Sequence, residues 1–347
     1  MLPIDLRSDF LSRPTPEMIS AMMDAASLRG GFGLREDSEV SSLESLAAQL
    51  LGKEDALFCA SCGMANQIAI HLAVRPGFSL VAESNSHVLM SEAGGPAALS
   101  GVMCKAIPGI DGVPDFDALG EAFLGVDTQR SRVSLLVMEN THVRSGGAVL
   151  DIPTCIKMRQ TAKSHGASVH LDGSRLFNAA AALKVSAEQL CTTADTVAFS
   201  LNKGLAAPLG AILAGSRDFI EEAVRVRQMF GGGWRPAGIL AAAGRVALQS
   251  MPQRLAEDNA VALELSMALT GLQGISSGQR QVSTNLVLID LDPRFGGAQK
   301  FSQTLAKFGV LVLPFGVNRV RLAIYYEITR QHIPVIVSAF TQALCSD

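Results

Sequence analysis

The chain of 347 residues is 48% hydrophobic, which is enough for one large hydrophobic core and a smaller second one. Its 29 basic and 32 acidic residues are mixed along the chain and give a formal net charge of -3, which excludes a basic stripe for a nucleic-acid backbone. No apolar run reaches the ~20 residues of a membrane helix. The six cysteines include one Cys-x-x-Cys pair, Cys59 and Cys62, but no second cysteine pair to complete a zinc site. We therefore expect a cytoplasmic protein without a metal site, a membrane partner or a nucleic-acid partner.

In chain order, short apolar runs bounded by turn residues predict buried β-strands. These runs are Ala56–Ala60, Ser79–Ala82, Gly101–Ile107, Val133–Met138, Ser168–Leu171, Thr196–Ser200 and Ala211–Leu213. Stretches of helical period lie between them, at Met64–Val74, Ile152–His165 and Ala179–Leu190. Because strand and helix alternate, we expect an α/β fold whose central sheet is mostly parallel and flanked by helices.

The sequence pattern changes after Gly231–Gly233. A long helical stretch rich in Ala and Leu, Ala237–Thr270, is followed by apolar runs at Leu286–Leu291 and Val310–Pro314. This mixture of helix and short strands predicts a smaller α+β domain. We therefore expect a large domain at residues 1–245 and a small C-terminal domain at residues 246–347.

Two charged residues follow the ends of predicted buried strands. Asp172 follows Ser168–Leu171, where open α/β sheets bind ligands, and Lys203 follows Thr196–Ser200 amid small and apolar residues. The alternatives are a turn and helix cap at Asp172-Gly173 and a surface lysine of which only the stem is covered. The pair is more specific than either residue, because a pyridinium ring acting as an electron sink needs an anion at its nitrogen and an amine at its aldehyde.

Small residues at Ser61-Cys62-Gly63 precede a helical pattern. Free backbone N–H groups and the helix dipole at such a place can receive a phosphate group. The alternative is an ordinary turn between strand and helix in which Ser61 is the N-cap.

Other side chains are candidates to act around such a ring. His87 lies after a predicted strand and before the glycine-containing loop Glu92–Gly95, so it can stack on a ring or move a proton, although lone histidines are often structural. Arg235, after three glycines and a tryptophan, can reach an anion, including one in a neighbouring subunit, or simply belong to a flexible link. Either Arg319 or Arg321 on a predicted strand can hold a substrate carboxylate.

These motifs together resemble the low-specificity L-threonine aldolases of the β-eliminating lyase group, which are pyridoxal-phosphate (PLP) enzymes of fold type I. The resemblance spans nearly the whole chain. It rests on Ile4–Asp9, Arg13–Pro16, Met64–Gln67, His87, Glu92–Gly95, Glu139–His142, His170–Gly173, Arg175–Ala179, Lys203–Leu205, Gly231–Gly233 and Gly238–Gly244.

The resemblance implies a role for each matching residue. Lys203 would form the Schiff base with PLP, Asp172 would contact the pyridine nitrogen, and His87 would stack on the ring. The remaining cofactor-binding residues would be Ser61, Cys62, Gly63, Arg175 and Ser200, with Arg235 reaching the phosphate from a partner subunit. Ser8, Arg175 and Arg321 would hold the substrate carboxylate.

The implied reaction is retro-aldol cleavage of L-threonine, L-allo-threonine or a related β-hydroxy-α-amino acid to glycine and an aldehyde. A base must remove the β-hydroxyl proton, and His87, directly or through water, is the nearest candidate. Members of the family share active sites across a dimer, so the resemblance implies a homotetramer built as a dimer of dimers.

The chain departs from the family pattern around the phosphate and the substrate. Cys62-Gly63 replaces Gly-Thr, and Asn202, Leu34 and Gln228 replace a serine, a tyrosine and a lysine. Gln129 aligns with a second active-site histidine, and Ile324-Tyr325 replaces Thr-His, which makes Gln129 and Tyr325 candidate substrate-binding residues. Two alternatives stay open: another PLP reaction, such as β-elimination, racemisation or transamination, and a non-catalytic binding protein with this fold.

Overall fold

The computed structural model describes residues 3–125, 128–275 and 282–346. Its β-strands are β1 (Ile4–Asp5), β2 (Asp55–Cys59), β3 (Ser79–Glu83), β4 (Met103–Ile107), β5 (Gly109–Ile110), β6 (Val113–Pro114), β7 (Val133–Glu139), β8 (Ser168–Asp172), β9 (Thr196–Ser200), β10 (Ala211–Gly215), β11 (Leu286–Asp290), β12 (Val310–Leu311), β13 (Leu313–Pro314) and β14 (Arg319–Ala323). Its α-helices are α1 (Pro16–Ala26), α2 (Ser38–Leu51), α3 (Cys62–Ala73), α4 (His87–Met90), α5 (Gly95–Ser100), α6 (Phe116–Phe123), α7 (Ile152–Ser164), α8 (Leu176–Leu183), α9 (Ala187–Cys191), α10 (Arg217–Met229), α11 (Gly238–Ser250), α12 (Leu255–Leu269), α13 (Gly297–Ala306) and α14 (Ile333–Leu344).

The central sheet has seven strands in the order β2-β10-β9-β8-β7-β3-β4. Only β10 runs against its neighbours in this sheet; the remaining strands are parallel to one another. The prediction of a mostly parallel sheet is therefore confirmed. The antiparallel strand β10 follows β9 after a short connection, since an antiparallel neighbour needs no helical crossover.

Side chains of the central strands alternate between two cores on opposite faces of the sheet. In β2, Ala56 and Phe58 belong to one core and Leu57 and Cys59 to the other. Helices cover both faces, because a buried parallel sheet exposes neither face to water. This layering matches the prediction of a sheet flanked by helices.

Two predicted helical stretches are each divided in the structure. The stretch Ala179–Leu190 is divided between α8 and α9, because Lys184 has a left-handed conformation with φ of 57° and Ser186 begins α9 with a capping box. The stretch Ala237–Thr270 is divided between α11 and α12 at Pro252, whose ring lacks the N–H that a continuous helix needs. Periodicity alone did not reveal either break.

A second core is built on the antiparallel sheet β11-β14-β13 and helices α12, α13 and α14. The beginning of the chain joins this core: β1 pairs in parallel with β12, and Leu6 is fully buried. Residues of the first core extend to Leu255, and those of the second resume at Val261. The boundary near residue 245 stays a prediction. In the described ranges, no helix has the length and apolar character to cross a membrane.

Candidate active site

The carboxyl ends of the parallel strands bring the main candidate residues to one edge of the sheet. Asp172 is the last residue of β8 and is paired in register with Glu139, the last residue of β7. His87 begins the short helix α4 after β3, and Lys203 lies three residues beyond the end of β9. Residues far apart in sequence therefore meet at one place because the strands that carry them are parallel.

Asp172 is buried, with 1% of its surface exposed. Its Oδ2 accepts a hydrogen bond of 2.9 Å from Asn66 Nδ2, and its Oδ1 accepts one of 3.1 Å from the Ser174 N–H. Burial alone would raise the pKa of this carboxyl, but the charges of His87 and Lys203 outweigh burial and lower it. Asp172 is thus an anion buried inside the protein. The hydrogen bond that it accepts from the Ser174 N–H also gives it the turn role that was the alternative interpretation of Asp172-Gly173.

Lys203 is 6% exposed, so the interpretation as a surface lysine is wrong. Within the described ranges its Nζ makes no hydrogen bond or ion pair, although the Phe10 ring centroid lies 5.0 Å away. Its backbone carbonyl accepts a hydrogen bond of 2.9 Å from Ser12 Oγ. Burial and the nearby Arg175 guanidinium lower the pKa of the amine, which favours the neutral form that can attack an aldehyde.

The turn Ser61-Cys62-Gly63 leads into α3. Ser61 caps this helix by accepting a hydrogen bond of 3.1 Å from the Met64 N–H, as the alternative interpretation predicted. The N–H groups of Cys62 and Gly63 have no acceptor among the residues that the structure describes, which is the usual state of a helix N-terminus that receives an anion. Cys62 Sγ lies 3.8 Å from Asp172 Oδ1, so the turn adjoins the buried anion. Ser200, another predicted cofactor-binding residue, is buried at the end of β9.

Arg175 and Asp9 form a buried ion pair that the sequence did not predict. Arg175 Nε and Nη2 each donate a hydrogen bond of 2.7 Å to the carboxylate of Asp9, which is fully buried. Asn285 Nδ2 donates a third hydrogen bond of 3.0 Å to Asp9. Burial would raise the pKa of Asp9, but the Arg175 guanidinium dominates and lowers it to about 2. Arg175 is predicted to hold a substrate carboxylate. Two of its three side-chain nitrogens already bind the carboxylate of Asp9 in this structure.

Arg321 projects toward the same region from β14. Its Nη2 donates a hydrogen bond of 3.1 Å to the Arg7 carbonyl, and its buried Nε has no partner among the described residues. Burial and the positive charge of Arg175 lower its pKa to about 10. Arg319, by contrast, is paired with Asp290 at 2.6 Å. Of the two arginines, Arg321 is the one with an unused donor beside Arg175. Ser8, the other residue predicted to hold the substrate carboxylate, precedes Asp9 and caps a short 3-10 turn.

Three predicted site residues are not brought to this cluster within one subunit. Gln129 is exposed in the loop before β7, at the amino edge of the sheet. Tyr325 is buried, and its hydroxyl donates to the Asp5 carbonyl at 2.8 Å. Arg235 is exposed and donates to the Phe32 carbonyl at 2.7 Å. Their predicted roles stay predictions.

His87 is held by two carboxylates. Its backbone N–H donates to Glu139 Oε2 at 2.6 Å, and its Nδ1 lies 2.9 Å from Glu92 Oε1. The hydrogen bond with Glu92 raises the pKa of His87, against the effect of burial. Ligand atoms of His87, Glu92 and Asp172 lie within 4.8 Å of one another. We assign no metal to them, because Asn66 Nδ2 already donates hydrogen bonds to both Glu92 and Asp172.

A second polar cluster lies beneath α4. His142 Nε2 is 3.0 Å from Glu83 Oε2 and 3.8 Å from Glu139 Oε2, and all three side chains are buried. Glu139 also accepts a hydrogen bond of 2.8 Å from the Val143 N–H, and its burial raises its pKa. Sequence reasoning included Glu139 and His142 in a motif but gave them no role; the signal was their adjacency at the end of a buried strand.

Comparison with known proteins gives three results. Residues 5–292 match the model of the beta-eliminating lyase family. The chain is 37% identical to low-specificity L-threonine aldolase 1 of Arabidopsis thaliana over 99% of this chain and 97% of that protein, and 30% identical to alanine racemase TOXG of Cochliobolus carbonum over 99% and 88%. The structure of Leishmania major threonine aldolase superposes with a TM-score of 0.84 at 19% identity, covering 99% of this chain and 100% of that one. This last similarity confirms the predicted fold class.

Proposed function

Because the chain belongs to the beta-eliminating lyase family, we propose that it is a PLP-dependent aldolase. Its substrate would be L-threonine, L-allo-threonine or a related β-hydroxy-α-amino acid, cleaved between Cα and Cβ to glycine and an aldehyde. The observation that carries this proposal is the meeting of a buried lysine without a partner among the described residues and a buried anionic Asp172 at one edge of the sheet.

The residues at this edge fit PLP. Lys203 supplies the amine for its aldehyde, Asp172 the anion for its ring nitrogen, and the first N–H groups of α3 the donors for its phosphate. When bound, PLP supplies an electron sink for the electron pair that bond cleavage leaves on Cα. The protein must then bind the substrate, orient it and move its protons.

The charges around Asp9 support a site for one substrate carboxylate. Arg175 and Arg321 carry two positive charges, and Asp9 neutralises one of them. One uncompensated positive charge remains in a buried place, and an α-carboxylate would balance it through charge-assisted hydrogen bonds. Binding there would fix Cα relative to Lys203 and so set which of its bonds is broken.

His87 is the group we propose to accept the proton of the β-hydroxyl group. Its ring is 35% exposed, unlike the buried side chain of Glu92 beneath it. A base in this position would assist the departure of the aldehyde as the Cα–Cβ bond breaks.

The test is to incubate the PLP-loaded protein with L-threonine, L-allo-threonine and phenylserine and to measure glycine and aldehyde. We expect equal amounts of both products, and no product from Lys203→Ala, which should also lose the visible absorbance band of the bound cofactor. Failure to cleave any β-hydroxy amino acid would refute the aldolase. Retention of the absorbance band in Lys203→Ala would refute the assignment of this lysine.

A second candidate reaction is racemisation. It is favoured by the similarity to a protein named alanine racemase and by the absence of the second histidine, since Gln129 stands in its place. Conversion of L-alanine to D-alanine without glycine release would support this reaction. A keto acid product would instead indicate β-elimination or transamination.

We also propose a cytoplasmic homotetramer whose active sites are shared across a dimer interface. Support comes from Arg235, which is exposed, and from Phe32, which it contacts and which is 88% exposed. Mixed dimers of Lys203→Ala and Arg235→Ala subunits provide the test. If Arg235 serves the partner's site, mixing these two inactive variants restores one complete site per hybrid dimer; if it serves its own site, mixing restores none. Light scattering gives the number of subunits, and cell fractionation the location.

A further inference from the structure

Glu92 lies at the centre of the hydrogen bonds that connect the candidate groups. Its Oε1 accepts from Asn66 Nδ2 at 2.8 Å and lies 2.9 Å from His87 Nδ1, while its Oε2 accepts from Gln67 Nε2 at 2.6 Å. The side chain is 5% exposed. An ionised carboxylate only accepts hydrogen bonds, so with Glu92 in this form the contact favours the tautomer of His87 that carries its proton on Nδ1.

The tautomer has a direct consequence for His87. With the proton on Nδ1, the lone pair of the neutral ring is on Nε2. Within the described ranges, Nε2 has no hydrogen-bond partner, and the ring is the part of this cluster that is most open to solvent. Nε2 is therefore the atom positioned to receive a proton from a substrate.

The loop that carries Glu92 is shaped to bring it to this place. Ala93 and Gly94 have positive φ values of 53° and 73°. A side chain at Gly95 would place its Cβ 2.7 Å from the amide of Gln67, the residue that donates to Glu92. The glycines therefore allow the backbone to approach Gln67.

Glu92 also connects His87 to Asp172. The same Asn66 Nδ2 that donates to Glu92 donates to Asp172 Oδ2 at 2.9 Å, and Asn66 Oδ1 lies 3.0 Å from His170 Nε2. Three charged groups thus face His87 from the surrounding elements: Glu92 from its loop, Glu139 from β7 and Asp172 from β8. Of these, Glu92 is the one that contacts the imidazole nitrogen.

We propose that Glu92 is the positioning residue of the site, which orients His87 Nε2 toward the substrate hydroxyl group and fixes His87 relative to Asp172 through Asn66. The role of His87 as a base rests on the proposed aldolase function. The orientation of its ring does not, so the two can be tested separately. The hydrogen bond that His87 Nδ1 donates to Glu92 makes His87 a stronger base, and it also shifts the loss of activity in acid to a higher pH.

The first test is the NMR titration of histidine-labelled protein, with the His87 signal assigned from His87→Asn. Wild-type His87 should carry its proton on Nδ1 in the neutral form. Glu92→Gln should lower its pKa by about 1 pH unit, because a neutral amide replaces the anion at the same distance. Glu92→Asp keeps the charge and should leave the pKa near the wild-type value.

The second test is the pH profile of glycine release. In Glu92→Gln the acid limb should move to lower pH together with the His87 titration, and kcat should fall while KM for the substrate stays unchanged. In Glu92→Asp, kcat should fall without movement of the acid limb. Glu83→Gln is the control, because Glu83 is a buried carboxylate that contacts His142 rather than the His87 ring.

The outcomes separate the two proposals. If wild-type His87 has its proton on Nε2, or if Glu92→Gln titrates like wild type, the role of Glu92 is wrong whatever the enzyme catalyses. The tautomer is measured on wild-type protein, so this result does not depend on the folding of a variant. If the NMR results are as expected but no β-hydroxy amino acid is cleaved, the aldolase proposal fails and the role of Glu92 in orienting the ring stands.

Discussion

The two edges of the central sheet each carry a lysine whose pKa is lowered by burial, but only one of these lysines has its hydrogen bonds satisfied. At the amino edge, Lys53 Nζ donates to the carbonyls of Cys191 and Ala194 at 2.9 and 2.7 Å. At the carboxyl edge, Lys203 Nζ has no such acceptor within the described ranges. Burial and a lowered pKa therefore do not distinguish a structural lysine from a reactive one; the state of its hydrogen bonds does.

The neighbours of the two lysines differ in the same way. Lys53 borders a cavity of about 640 Å³, where Asp195 pairs with Arg159 at 2.9 Å and with Lys163 at 2.5 Å. At the carboxyl edge, Arg321 keeps a buried nitrogen without a partner among the described residues. A cavity by itself thus does not mark the reactive edge. We expect substitutions at the carboxyl edge to reduce activity and those at the amino edge to reduce stability.

The largest contrast should come from Lys203. Lys203→Ala should lower the rate of glycine release on the order of 10⁴-fold or more, because no other described side chain offers an amine at this position. The free energy of unfolding of the cofactor-free protein should change little or increase, since a buried lysine without a partner is removed. Glycine release and urea unfolding measure the two effects. Substantial activity in this variant would remove the distinction between the edges.

Asp9 is the exception at the carboxyl edge, because it is part of a satisfied buried pair. Asp9→Asn should lower the free energy of unfolding by about 3–5 kcal/mol, since it leaves the buried charge of Arg175 without its partner. Urea unfolding at neutral pH measures this loss. An unchanged stability would mean that Asp9 serves only ligand binding.

The same pair predicts a dependence on pH. The pKa of Asp9 is lowered from 3.8 to about 2 in the folded protein. At pH values above 3.8, the pKa of the unfolded state, the ionised carboxylate therefore makes its full contribution to the free energy of unfolding. This contribution, about 2 kcal/mol, is lost as the pH falls from 3.8 toward 2. Wild type should therefore lose stability in this window, while Asp9→Asn should lack this part of the decline. Unfolding curves between pH 5 and pH 2 would show parallel declines if the pair did not contribute.

Arg321 and Arg319 allow a matched comparison on one strand. Arg321→Gln should raise KM for the amino acid about 10- to 100-fold, because it removes a charged donor for the carboxylate. Arg319→Gln breaks only the pair with Asp290 and should leave KM unchanged. Equal effects of the two substitutions on KM would contradict the assignment of Arg321.

The smallest effect is expected at the amino edge. Lys53→Met keeps the length of the side chain but leaves the Cys191 and Ala194 carbonyls without their donor, which should lower the free energy of unfolding by about 1–3 kcal/mol. The kcat value at a temperature where the variant is folded should match wild type. A loss of kcat there would show that the two edges are coupled.

The sequence predicted those features of the fold and the site that depend on a local pattern of residues. Short apolar runs bounded by turn residues identified the strands, and Asp172 and Lys203 stood out because each follows such a run. Asp9 could not be found in this way, because its partner Arg175 lies 166 positions further along the chain and no local signal marks the pair. The role of Glu92 depends on Asn66 and Gln67, which contact its loop from helix α3. Contacts of this kind are set by packing rather than by periodicity.

The first dozen residues link the two cores of the molecule. Ile4 pairs with Val310 and Leu6 is buried in the second core, whereas Asp9 binds Arg175 and Ser12 donates to the Lys203 carbonyl beside the first. This segment connects the small sheet to the active site, because its contacts couple the position of that sheet to the backbone of Lys203 and to the guanidinium of Arg175. We therefore expect deletions in this segment to change the position of both side chains and so reduce activity.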